Sequence, residues 1–414
     1  MQTDWPGHST ETLPWSSQGR GPKEDRIFSE YQATIPPFIA GLDWPQGAET
    51  SALSDEAVAA VVRLDATAGQ VLAPLTGFLL RNEAQSSSKI ERVQASQIDL
   101  ARASLGIKAN EDARTTVAAA EAISLLINSV ANTGIVDLQS LLASHYSLMR
   151  EDKIDAEYAG KLRTVQNWIG GSDYTPRNAI HVPPAPERVP ELMDDLVAFC
   201  NRRDLPVMAQ AALAHAQFES IHPFTDGNGR IGRALINAEL RFRGTTGAAI
   251  IPLASAFAAR RQWYFSLINV YRQGYAGLFV QYLCRCAVLA CEEAAASAET
   301  LSSLPSTWRE SAPARGGSAV ERMIDDLLDA PLLTIETVVD RLGVSRTAAT
   351  SAISRLEDAG VLRFVGRGRR DQAWAAGDVL DETESLVLRI EEGRARLLTP
   401  AVERHLISEG LIGV

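Results

Sequence analysis

Apolar positions recur every three to four residues from about Glu56 to Ser297, with short polar breaks, and this spacing predicts a succession of amphipathic helices around one core. Before Glu56 the chain is rich in Gly, Ser, Pro and Trp and reads as irregular. After Ser297 the run SAETLSSLPSTWRESAPARGGS exchanges the helical pattern for Ser, Pro, Ala and Gly, the composition of a moderately flexible linker over 298–317. A second, smaller pattern follows. A helix around Ile335–Arg341 meets a turn at Gly343, and another starts with Ser345 as N-cap and stops at Gly360. The segments LRFV and QAWA then read as two strands about the basic tip GRGRR. The last segment, ESLVLRIEEGRARLLTPAVERHLISEGL, alternates apolar and charged residues at helical spacing and is expected to close the fold or to dimerise.

Composition narrows the class. A chain of 414 residues with 46% hydrophobic content is long enough for more than one domain and a large core. A net charge of −11 argues against nonspecific nucleic-acid binding by the whole chain, while a local patch could still serve. No run of about 18 apolar residues and no basic-then-apolar N-terminus is present, so a cytoplasmic protein without a membrane span is expected. Cys200, Cys284, Cys286 and Cys291 form no CxxC pair and read as small core residues.

The candidate chemistry is concentrated in His222–Arg233, HPFTDGNGRIGR. Gly227 and Gly229 accept positive φ at no steric cost, so the chain around Asn228 can curl until backbone N–H groups converge on an anion. The helix-compatible run that follows adds the unpaired N–H groups of a helix N-terminus. A carboxylate at Asp226 would repel a bare phosphate but suits a Mg²⁺ ion held between protein and phosphates. Arg230 and Arg233, three residues apart, can turn their planar forks to the same phosphate oxygens. His222 titrates near neutrality, with an ordinary pKa of about 6.5, and is the candidate general base. His215 is expected to pack locally.

The run resembles the motif of the Fic family, HxFx[D/E]GNGRxxR, at every specified position. The resemblance implies a mainly α fold, a helical core with a short β-hairpin flap, and transfer of AMP from ATP to a Ser, Thr or Tyr hydroxyl of a target protein with release of pyrophosphate. It implies His222 as base, Asp226 as Mg²⁺ ligand, and Phe224 as the anchor of the loop. Gly227, Asn228, Gly229, Arg230, Ile231, Gly232 and Arg233 would form the ATP site.

Three further segments extend the resemblance. GGSDYTPRNAIHVPPAPERVPELMDDL, with β-branched Ile180 and Val182 stopped by Pro183 and Pro184, resembles the flap on which Ile180, His181 and Val182 would pair with an extended stretch of the target. In RQWYFSLINVYR, Tyr264 would cover the adenine. Upstream, SSSKIERVQAS resembles the inhibitory pattern [S/T]xxxE[G/N], with Ser87 and Glu91 in place and Arg92 where Gly or Asn is asked for. A Glu91 carboxylate on Arg233 would take the guanidinium that the γ-phosphate needs. Ser86 and Ser88 are expected as helix caps.

The C-terminal pattern resembles a winged helix-turn-helix of α+β composition. Arg346, Arg367, Arg369 and Arg370 would be its DNA contacts, with Glu357 and Asp358 diluting the charge. The expected organisation is 1–118, a helical region carrying the inhibitory segment; 119–297, the catalytic core; 298–317, linker; 318–378, winged helix; and 379–414, C-terminal helix. Alternatives to AMP transfer are removal of AMP, with Glu91 positioning a water, and a regulator whose core only senses nucleotide. A homodimer and self-modification are compatible with the sequence.

Overall fold

The N-terminal stretch expected to be irregular pairs with itself. In the computed structural model, which describes residues 3–410 apart from 17, 18, 46, 72, 369, 370, 399 and 409, β1 (Ser9–Pro14) and β2 (Glu30–Ile35) form an antiparallel hairpin in register from Ser9↔Ile35 to Pro14↔Glu30. The short helix α1 (Lys23–Arg26) lies in its long connection. The hairpin owes its place to tertiary contacts: Ala33 and Ile35 are buried, and Trp15 meets both Tyr31 and Trp168 edge-on.

Helices follow in the expected succession: α2 (Ala48–Val71), α3 (Ala73–Ile90), α4 (Gln97–Ser104), α5 (Glu111–Thr133) and α6 (Leu138–Met149). Ser96, Asn110 and Asp137 open the last three by accepting the amide three residues on, which is what short oxygen-bearing side chains do at N-caps. After a long loop come α7 (Val189–Cys200), α8 (Val207–Ile221), α9 (Asn228–Phe242), α10 (Leu253–Ala259), α11 (Arg261–Arg272) and α12 (Ala276–Ser311). Alanine-rich α8 is buried from Met208 through Ile221, its polar Gln210, His215, Gln217 and Glu219 included, and the others pack around it. Gly232 lets α9 close on it, because a Cβ there would collide with Glu219 and Phe218.

The linker expected over 298–317 is largely absent. Residues 298–311 continue α12, with Pro305 carried inside the helix. Leu301, Leu304 and Trp308 are buried, and the Trp308 indole donates to Asp378 at 2.7 Å, so their helical spacing outweighs the Ser and Pro content. Beyond lie α13 (Ala319–Asp326), β3 (Leu332–Leu333), α14 (Ile335–Leu342), α15 (Arg346–Asp358), β4 (Leu362–Phe364), β5 (Trp374–Ala376), α16 (Gly377–Glu392) and α17 (Pro400–Ser408). The strands form an antiparallel sheet in the order β3-β5-β4; β3 had no sequence signal. Helix α16 is fastened to α12 by Arg389, which reaches Glu293 at 3.1 Å, Glu382 at 2.8 Å and Ser297 at 2.7 Å. One buried core runs from Trp5 to Leu406, crossing the boundary drawn at 318. The four cysteines are free and buried in it. Among the described residues no helix is long and apolar enough to cross a membrane.

Candidate active site

The run from His222 to Gly227 turns the chain from α8 into α9, and it does so with two left-handed residues, His222 at φ 50° and Gly227 at φ 78°. Glycine takes this conformation at no cost, whereas histidine must be held in it. Arg163 does the holding: its Nε donates to the His222 carbonyl at 2.8 Å and its Nη2 to the Pro184 carbonyl at 2.6 Å. Phe224 is buried and stacks on His145, ring centroids 3.8 Å apart. The Gly160 amide donates to His145 Nδ1 at 2.9 Å, so Nε2 carries the proton and donates to the Asp226 carbonyl at 3.0 Å. Burial pushes the His145 pKa down to about 4, and the ring is neutral.

Asn228 staples the loop. Its Oδ1 accepts from the Phe224 N–H and its Nδ2 donates to the Phe224 carbonyl, both at 2.8 Å. This side chain therefore does not reach for phosphate, as had been expected, because both of its ends are used. The backbone serves instead: among the described residues the N–H groups of Asn228, Gly229 and Arg230 meet no protein acceptor, and they open the first turn of α9. Such a turn offers converging donors and the positive end of a helix dipole to an anion.

His222 stands at the rim of that turn, partly exposed. Burial, reinforced by Arg163 and Arg272, pushes its pKa down to about 3, so the ring is neutral at neutral pH. Its Nδ1 faces Asn167 Nδ2 at 2.9 Å and Asn228 Nδ2 at 3.2 Å. Because Phe224 sets the orientation of Asn228, Nδ1 is an acceptor and the proton rests on Nε2.

Arg233 is 1% exposed and almost fully engaged. Its Nε donates to Ser87 Oγ at 2.9 Å, and its Nη2 to the Ser87 carbonyl at 3.0 Å and to Glu91 Oε1 at 2.8 Å. The same Glu91 carboxylate lies directly over Gly229, where a Cβ would have no room beside it. Arg92, just past the end of α3, has φ 66°. A left-handed residue is needed there, which explains why the pattern asks for Gly or Asn and marks Arg92 as a strained substitute. Arg261 Nε caps the helix from outside by donating to the Ile90 carbonyl at 2.6 Å.

Several expected roles change. Ser86 and Ser88 lie in the last turns of α3, not at an N-terminus, so they are not caps; Ser86 Oγ meets Ser255 Oγ at 2.8 Å. Tyr264 is wholly buried, packs on Phe257 at 4.8 Å between centroids, and places its hydroxyl 2.9 Å from His215 Nε2 and 3.4 Å from Arg233 Nη1. It backs Arg233 and has no open face for adenine. Ile231 is a core residue and Gly232 faces α8, so neither looks toward the open turn. Buried Arg230 turns sideways, its Nη2 3.2 Å from Asp226 Oδ2 and 3.7 Å from Met149 Sδ. Asp226 itself is exposed, and its charge helps to raise the pKa of Asp155 after the larger effect of burial.

The segment expected as a flap pairs with the chain before it at an isolated bridge, Ile169↔His181. Ile180 is exposed, while the His181 ring is buried with Nε2 3.0 Å from the Ser220 carbonyl. Val182 is buried, and its carbonyl accepts from Thr34 of β2 at 2.8 Å. The outer edge of the flap is thus met by the N-terminal hairpin, which the sequence did not announce. Beside it lies a groove of about 350 Å³ lined by Phe28, Tyr31, Gln32, Arg177 and Val182. In the C-terminal module Arg346 is exposed and paired with Glu336 at 2.7 Å, Arg367 is exposed, and Arg369 and Arg370 lie outside the described residues.

Asn167, Arg163 and His145 are absent from the motif yet position it. They come from α6 and the loop after it, where no spacing marks them; only the fold brings them to His222.

The pattern of the Fic/DOC family matches residues 135–240, inside the expected core of 119–297. A protein adenylyltransferase fic-1 of Caenorhabditis briggsae is 30% identical over 153 residues, 36% of this chain and 27% of that protein. A protein adenylyltransferase Fic of Nematostella vectensis is 34% identical over 131 residues, 31% of this chain and 27% of that protein. The chain thus spans 27% of the length of these curated relatives. A Fic family protein from Desulfovibrio desulfuricans superposes with a TM-score of 0.53 at 20% identity, covering 80% of this chain and 97% of that one, which shows a shared fold. Motif, matched segment and fold agree: residues 135–240 of this chain match the Fic/DOC family, on a fold shared with a solved Fic family protein.

Proposed function

We propose that this chain transfers AMP from ATP to a hydroxyl side chain of a protein and that Glu91 restrains the reaction. The carrying observation is that an unpaired helix N-terminus and a neutral His222 share one mouth, while the arginine best placed to extend the anion site, Arg233, is held by Ser87 and Glu91. The names of the relatives support the same chemistry.

In this reading the target oxygen forms a bond to the α-phosphorus, the bond from that phosphorus to the β-phosphate oxygen breaks, pyrophosphate leaves, and the hydroxyl proton passes to His222. Catalysis is then positioning and charge neutralisation. The α9 amides would hold phosphate oxygens. Asp226, the exposed carboxylate beside the turn, would share Mg²⁺ with phosphates and water, and Mg²⁺ when bound neutralises phosphate charge. Two restraints must yield. Glu91 must leave Arg233 and Gly229, and the His222 proton must move from Nε2 to Nδ1 before Nε2 can act as base. The target would lie as an extended segment along the groove beside Val182.

The test is incubation of wild type, Glu91→Gly and Glu91→Gly/His222→Ala with Mg²⁺ and α-labelled ATP. Label on protein in the second and not the third is expected. Absence of label in all three, with ATP bound, would sink the proposal in favour of AMP removal or nucleotide sensing.

A further inference from the structure

Helix α3 has a second face, turned away from Arg233, and there it walls a cavity of about 70 Å³ with α4, α5 and α16. Leu100, Val117, Ala120 and Leu380 are among its apolar lining, and Arg81 lines it from α3. Among the described residues the Arg81 guanidinium has neither an ion-pair partner nor a hydrogen-bond acceptor. Burial alone, with no carboxylate to offset it, pushes its pKa down to about 10. Three other polar side chains at the wall are engaged within the protein. Thr116 Oγ1 donates to the Asp112 carbonyl at 2.8 Å, Thr383 Oγ1 to the Val379 carbonyl at 3.0 Å, and Gln97 Nε2 to Gln85 Oε1 at 3.0 Å.

We propose that this cavity is a binding site for a small carboxylate with an apolar tail, its head paired with Arg81 and its tail lying on Leu100, Val117 and Leu380. The charge argument is the absence, among the described residues, of a counter-ion for a half-buried guanidinium at the cavity wall, which a bidentate carboxylate would supply. Size limits the tail: a water needs about 10–15 Å³ of such space, so the cavity takes roughly five to seven heavy atoms, a carboxylate of about four or five carbons. The site also joins two parts of the molecule. Asn82 of α3 donates to the Thr383 carbonyl of α16 at 3.4 Å, and Arg102 of α4 donates to the Val365 carbonyl beside β4 at 2.6 Å. A ligand there fastens α3 to the C-terminal module.

The experiment is calorimetric titration of the full chain with 3-methylbutanoate, beside its neutral counterpart 3-methylbutan-1-ol, for wild type, Arg81→Met and Ala120→Leu. Saturable binding of the carboxylate to wild type, at about 1 mM or tighter, is expected. It should weaken at least about tenfold in either variant, and for the alcohol, because each lacks the charge pair or the space. A melting temperature that rises with carboxylate concentration in wild type only is the second expected sign. No saturable binding to folded wild type, or equal binding to Arg81→Met, or equal binding of the alcohol, overturns the proposal. Should Arg81→Met fail to fold, Ala120→Leu and the alcohol decide it. Because binding is read without nucleotide, its outcome is independent of the transfer chemistry proposed for His222.

Discussion

Two arginines, one on helix α3 and one held against it, stand in opposite circumstances. Arg233 is fully buried and is met by Ser87 Oγ, the Ser87 carbonyl, Glu91 and the Tyr264 hydroxyl. Arg81, on the helix itself, lines a cavity and has no partner among the described residues. A buried guanidinium needs compensation, and removing one partner of a compensated pair costs more than the pair contributes. The contrast teaches where ligands are expected to act. At Arg233 an incoming phosphate must displace an internal anion, so the fold itself restrains binding. At Arg81 an incoming anion displaces only water.

The largest expected effect is on turnover. Converting Glu91 to Gly removes the internal anion from Arg233, and label transfer from ATP should rise about tenfold or more, about 1.4 kcal/mol of released restraint. Adding His222→Ala should then lower the rate by about 10²–10⁴, the usual worth of a general base. A Glu91→Gly variant that labels no faster than wild type would end the comparison on the Arg233 side.

Next come the two charge deletions, read by chemical denaturation. Arg233→Met should destabilise the fold by about 3 kcal/mol, since it strands Glu91 and the Ser87 oxygens. Arg81→Met should stabilise it by about 1–2 kcal/mol, because an unpaired, half-buried charge gives way to an apolar chain of similar length. Equal effects of the same sign would show that the two sites do not differ in compensation.

Acid and base probe the burial around both. His8, His145, His181, His215 and His222 are held below their ordinary 6.5 by burial, so the stability they supply is complete above that value and declines as pH falls. Burial pushes Glu83 and Glu239 up to about 8 and Glu219 to about 7 from 4.5, so their share is complete below 4.5 and is lost as pH rises through 7 and 8. The melting temperature should therefore peak near pH 6.5 and decline on both sides. A monotonic rise from pH 5 to about 9 would mean that the buried glutamates are ionised in the fold.

The smallest effect tests the strained residue next to Glu91. Arg92→Gly relieves a left-handed arginine and should stabilise α3 by about 1 kcal/mol, seen as a small rise in melting temperature and, if anything, slower label transfer. A fall in melting temperature would mean that the Arg92 side chain holds something that its φ angle does not reveal.

Helical spacing outlines the succession of helices between about Glu56 and Ser297, and the N-cap at Ser345 is legible as a residue type. The hairpin β1–β2 was not, because its strands are stabilised by Trp15, Tyr31 and Trp168 meeting across the fold, not by their own alternation. The linker reading of 298–317 failed for the same reason: local composition spoke for a break, and burial of Leu301, Leu304 and Trp308 against α16 and its neighbours spoke louder.

The sequence by itself determined what depends on neighbours along the chain. The glycine at 227 allows the left-handed turn, the helix that follows exposes its first amides, and Ser87 and Glu91 share one face of α3 because they are four residues apart. Only the tertiary structure decided what depends on charge and tautomer. That Asn167 and Asn228 face His222 Nδ1, that Arg230 turns to Asp226, that Tyr264 backs Arg233 and that Arg81 has no ion-pair partner among the described residues are outcomes of packing. The physical reason is range: backbone conformation and periodicity act over a few residues, whereas the partner of a buried polar group is chosen across the whole core.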